Sequence, residues 1–94
     1  MAPTAVRAQA IWVTEHYWPG LTDELVLAQA ERLSRLPECR TTVVLPGQQT
    51  AFGFFDAATD DDVRRALARV GVAAAAVTPG WHLAHPTDSR GTVP

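Results

Sequence analysis

In Ala10-Ile11-Trp12-Val13-Thr14-Glu15-His16-Tyr17-Trp18-Pro19-Gly20-Leu21-Thr22-Asp23-Glu24, a run of β-branched and aromatic residues meets a breaker and then a helix start. Residues 10–18 predict a strand, and Pro19-Gly20 ends it. Thr22 stands where an N-cap belongs, with Asp23 and Glu24 where the helix dipole favours acids. Val26, Ala30, Leu33 and Leu36 then recur at helical spacing, and Pro37 stops the helix.

The same order returns in the second half. Residues 39–45 predict a second strand, Pro46-Gly47-Gln48-Gln49 a turn, and Thr50–Phe55 a third strand, so these two form a hairpin. Thr59 caps a second helix that opens on Asp60, Asp61 and Asp62, carries Arg64, Arg65 and Arg69 further along, and ends at Gly71. Val72–Val77 is read as a fourth strand. Its alanines favour helix by propensity, but Gly71 before them and Thr78-Pro79-Gly80 after them set the segment apart. Residues 1–9 lack periodicity and should fray. Residues 81–94, with Pro86, Gly91 and Pro94, read as a tail. The domain proper is therefore expected over residues 10–80.

Strand, helix, strand, strand, helix, strand is the ferredoxin-like split unit, an α+β fold with a four-stranded antiparallel sheet and two helices on one face. The other face is left bare. A chain of 94 residues buries a modest share of its surface, about 60–65%. Two copies meeting through their bare faces, as a dimeric α+β barrel, would solve both problems.

Composition narrows the function. Apolar residues make up 47% and charged residues 19%, and the net charge is −2. No basic excess supports a nucleic-acid footprint. All eight basic residues are Arg, and the absence of Lys excludes Schiff-base lysine chemistry and a P-loop. No apolar run approaches the ~18 residues of a membrane span, and residues 1–10 lack the apolar core of a signal peptide. The single Cys39 has no internal partner and suits a reducing compartment, so a cytoplasmic location is expected. Dinucleotide-binding, nucleophile-elbow and zincin motifs are absent.

Two segments carry a family likeness. Thr14-Glu15-His16-Tyr17-Trp18-Pro19-Gly20-Leu21-Thr22 follows the pattern of a hydrophobic strand ending in Glu-x-Tyr-x-Pro-Gly before a Thr-led helix. Phe52-Gly53-Phe54-Phe55-Asp56-Ala57, followed by Asp61-Asp62-Val63-Arg64-Arg65, follows a Phe-rich strand, an acid, an Ala and a helix with Val-Arg. Over roughly residues 10–77 the chain resembles a family of small bacterial proteins of largely unknown function, typified by a streptomycete nickel-binding protein. The resemblance implies a ferredoxin-like fold and a homodimer. No nickel ligand of that family is matched to a position here.

Alternation along the first strand separates Ile11, Val13, Glu15 and Tyr17 from Trp12, Thr14, His16 and Trp18. The first set is the more apolar and is expected to face the helices. Glu15 would then enter an apolar layer, where burial makes a carboxyl a candidate general acid or base. Tyr17 could donate to it or to a substrate oxygen. The bland alternative is a cap or an Arg pair. The second set would place His16, a candidate base, between Trp12 and Trp18, with Phe54 nearby, in an aromatic ligand pocket. Interface packing is the alternative for the tryptophans. His82 and His85 have a spacing that could hold one metal, although loop histidines are usually just that. The small side chains of Ala73–Ala76 leave room for a ligand or for another element.

Three functions remain open. One is a cofactor-free enzyme of specialised metabolism, a cyclase, isomerase or dehydratase, using Glu15, His16 and Tyr17 on an apolar small molecule. A second is a nickel-binding protein with His82 and His85 among its ligands. The third is a non-catalytic ligand-binding dimer.

Overall fold

The structure, a computed structural model, describes residues 7–84. Its elements run β1 (Arg7–Tyr17), α1 (Asp23–Ser34), β2 (Cys39–Leu45), β3 (Thr50–Phe55), α2 (Asp60–Val70) and β4 (Ala76–Ala84). All pairings are antiparallel, in the order β2-β3-β1-β4. This is the expected ferredoxin-like βαββαβ topology.

The caps behave as their residue types require. The Thr22 hydroxyl accepts from the Leu25 amide at 3.3 Å, and the Thr59 hydroxyl from the Asp62 amide at 3.2 Å. Gly71 ends α2 in the left-handed region at φ 69°, where a Cβ would be strained. Between β2 and β3 the chain makes a 3-10 turn at Pro46–Gln48 and exits through Gln49 at φ 54°. Gln49 also ties this turn to the end of β1. Its carbonyl accepts from the Trp18 amide, and its side-chain amide donates to the Leu21 carbonyl, each at 2.8 Å.

The fourth strand lies later than expected. It starts at Ala76, not Val72, and runs through Pro79 and Gly80 to Ala84. Residues 81–84, expected to be tail, pair with Arg7–Ala10, of which Arg7–Gln9 were expected to fray. Pro79-Gly80 reads locally as a turn. At the outer edge of a sheet, however, a residue without an N–H is tolerated, and β4 is an outer strand.

Leu33, Leu36, Phe55, Val63, Ala66, Leu67 and Val72 form the core between the sheet and the helices. β1 turns the opposite faces from those expected. Trp12 pairs with fully buried Phe55, and Trp12 and Trp18 pack against the core. Trp12, Thr14, His16 and Trp18 therefore point toward the helices, and Ile11, Val13, Glu15 and Tyr17 point away. The physical reason lies on β3. The residues opposite Thr14 and His16 are Gly53 and Ala51, so large side chains on β1 meet small ones on its neighbour.

A Cβ placed on Gly53 would stand 2.6 Å from Thr14 Oγ1 and 2.7 Å from Phe55 Cε1. Gly53→Ala should therefore destabilise the fold by about 1–3 kcal/mol through overpacking. A lowered urea midpoint at unchanged slope is the expected readout.

Candidate functional site

β1 is a central strand, and its two faces hold two different constellations. On the helix side, His16 is fully buried. Its Nδ1 lies 2.8 Å from the Ala73 carbonyl and its Nε2 lies 2.7 Å from Thr14 Oγ1. A carbonyl can only accept, so Nδ1 carries the proton. In the neutral ring Nε2 is then an acceptor, and the Thr14 hydroxyl donates to it. That hydroxyl also lies 3.4 Å from the Gly53 carbonyl, but its one proton serves one acceptor at a time. Trp18 stacks on the imidazole, with ring centroids 5.6 Å apart. Burial holds His16 below the usual histidine pKa, while the bond to Ala73 pulls it partly back up. Trp12 Nε1 donates to the Ala57 carbonyl at 3.1 Å.

In the small-residue stretch Ala73–Ala76 it is the backbone that meets the imidazole, through the Ala73 carbonyl. The Ala75 amide donates to the Glu15 carbonyl at 2.7 Å, so the link between α2 and β4 is bonded to β1 at Glu15 and at the His16 ring. The expected grouping of Glu15, His16 and Tyr17 does not form. His16, Trp12 and Trp18 belong to the core, and His16 presents no ring nitrogen free for a ligand.

On the open face, Glu15 and Tyr17 are exposed. Glu15 was expected within the apolar layer under the helices and is instead on the surface the helices leave uncovered. Its neighbours across the strands are Phe52 and Ala76, and those of Tyr17 include Thr50. Val13 and Phe54 continue the face, and Thr41, Val43 and Leu45 extend it along β2. Phe54, expected in the ligand pocket, does line a recess here, of about 290 Å³, together with Ile11, Arg40, Thr41 and His82. Arg40 and Thr41 are functional candidates that the sequence did not signal. Arg40 sits at a break in register between Cys39 and Thr41, and a β-bulge has no reliable sequence mark.

His82 is thus on β4, not in a loop; His85 lies outside the described residues. Among the described residues no group of three or more His, Cys, Asp or Glu is placed to hold a metal. The Asp60–Asp62 run is a solvated helix start, in which Asp62 pairs with Arg65 at 2.6 Å. Arg69 takes both oxygens of Glu38 at 2.7 Å. Cys39 is a free thiol. No helix among the described residues is long and apolar enough to cross a membrane.

No family model matches the chain, and no curated protein matches it. Among solved structures, the chain is similar to oxidized MerP from Ralstonia metallidurans CH34, at 18% identity and a TM-score of 0.47, over 76% of this chain and 97% of that one.

The lowered pKa of His16 has a consequence for stability. Folding favours the neutral ring, so its contribution is complete above the unfolded value of about 6.5 and is lost as pH falls from there toward the folded value. The urea midpoint should fall as pH drops through and below about 6.5 in the wild type and stay flatter in His16→Gln. The carboxylates of Glu38 and Asp62, lowered chiefly by bonds from Arg69 and Arg65, lose their share only at more acid pH. Equal slopes in the two proteins would contradict this account of His16.

Proposed function

We propose that the chain is a small acid/base enzyme of specialised metabolism, acting without a bound cofactor, and that its working surface is the open face of the sheet. One observation carries the reading. In a face made largely of Val13, Val43, Leu45, Phe52 and Phe54, the central strand presents a carboxylate and a phenol side by side, Glu15 and Tyr17. Once that face is covered, a charged group in its middle costs free energy unless a ligand or partner group pairs with it. An apolar metabolite lying there meets a proton acceptor and a hydroxyl donor together. Glu15 moves the proton, and the Tyr17 hydroxyl donates to oxygen that gains charge. This suits isomerisation, dehydration or cyclisation.

A second copy completes the site by covering the face. Tyr17 is 59% exposed, Val43 42% and Leu45 39%, and a continuous exposed apolar patch is the mark of an interaction surface. The family resemblance of the Thr14–Thr22 and Phe52–Ala57 segments supports the same homodimer. The free Cys39 thiol suits a cytoplasmic setting.

Native mass spectrometry of untagged protein, as purified, is expected to give a dimer carrying an organic adduct. Val43→Glu should give the monomer. In deuterated water the wild type should introduce deuterium into the recovered ligand, and Glu15→Gln should not. A wild-type monomer, a metal-sized increment removed by chelator in place of the adduct, or equal labelling by Glu15→Gln would overturn the proposal.

A further inference from the structure

The recess at the end of the open face is not part of the Glu15–Tyr17 pair, and its lining is of another kind. Its residues are Ile11, Arg40, Thr41, Phe54 and His82. Arg40 comes from the bulge in β2 and reaches across the sheet to β1. Its Nη1 donates to Gln9 Oε1 at 2.7 Å, and its Nε lies 3.3 Å from Asp56 Oδ2. These contacts fix the plane of the guanidinium from two sides. Among the described residues Nη2 takes no hydrogen-bond partner. Gln9 in turn stands opposite His82 on β4. Arg40, Gln9 and His82 thus form a polar row across one end of an apolar face. Ile11, buried at 5% exposure, lies within the recess beside them.

We propose that this recess binds the anionic head of an amphipathic organic acid, a carboxylate being the simplest, whose apolar body extends over Phe54 and Val13 toward Glu15. The inference rests on the open face being the working surface and names the class of molecule that fits it. A held guanidinium with donors left over is suited to a carboxylate. The Thr41 hydroxyl and the His82 imidazole supply further polar contacts at the rim. Ile11 and Phe54 supply apolar surface beside the guanidinium for the body of the acid. Asp56 is a positioning residue. It pairs with Nε and is not among the residues lining the recess, but lines a different cleft with Glu38 and Arg69. Phe54 of the recess stands opposite Val13, and Glu15 is two positions further along β1, about 7 Å. An acid anchored at Arg40 would therefore place atoms along its chain or ring within reach of the carboxylate and the phenol.

The test compares two fluorescent probes of similar size, the sulfonate 1-anilinonaphthalene-8-sulfonate and the uncharged N-phenyl-1-naphthylamine. Arg40→Met keeps the apolar stem and removes the guanidinium; Arg40→Lys keeps the charge. The sulfonate should bind Arg40→Met about tenfold more weakly than the wild type, with affinity partly restored in Arg40→Lys. The uncharged probe should stay within about twofold throughout. Urea midpoints of the three proteins establish that each is folded. Equal sulfonate affinity in wild type and Arg40→Met, parallel loss of both probes, or no sulfonate binding by the wild type would overturn the proposal. Failure of the Glu15 labelling test with the Arg40 dependence intact would instead leave an anion site and remove the proton-transfer reading.

Discussion

The hydrogen bonds from His16 to the Ala73 carbonyl and the Thr14 hydroxyl join parts of the chain that are far apart in sequence. Thr14 in turn packs closely against Gly53 on β3, and through Ala73 the bonds hold the link that carries the chain from α2 to β4. A buried imidazole with one end unpaired would cost more than it contributes. The surrounding residues are therefore constrained together. Position 53 must be glycine for Thr14 to fit, position 51 must be small beneath His16, and the 72–75 link must approach closely enough to offer its carbonyl. Once β1 is locked with its aromatic side inward, the alternating residues are committed to the outward face. Glu15 and Tyr17 are exposed because His16 is not.

Much of this fold was legible in the residues. The Thr22 and Thr59 caps, the Gly71 stop, the Pro46–Gln49 turn and the order of strands and helices follow from local chemistry, and the structure has them all. Legibility failed where the outcome depended on a neighbour. The inward face of β1 was misassigned because Ile11 and Val13 are more apolar than Thr14 and His16, and hydrophobicity alone decides such a choice wrongly. What decided it was the pairing of Thr14 with Gly53 and of His16 with Ala51, a matter of cross-strand volume. The place of β4 was missed because Pro79-Gly80 signals a turn. Only the knowledge that β4 is an outer strand makes that proline acceptable.

The candidate site divided in the same way. Glu15 and Tyr17, expected to carry chemistry, stand on one face, the one opposite to that expected. His16, Trp12 and Trp18 carry the same signals of residue type but are occupied with packing and internal hydrogen bonds. A histidine among aromatics looks alike in sequence whether it lines a pocket or fills a core. Arg40 was invisible for a different reason. Its position depends on a local irregularity in the strand, and neither its type nor its spacing marks it.

That irregularity also bears on how such a surface can be acquired. Cys39 pairs with Phe55 and Thr41 with Phe54, so β2 spends two residues against one on β3. Cys39 keeps its place against the core and Thr41 keeps its place on the open face. Arg40 is the supernumerary residue between them. A cation has been added to the end of the sheet without displacing a side chain from either layer. The bulge thus lets an edge strand carry a charge between its two layers while the alternation of its other residues stays intact.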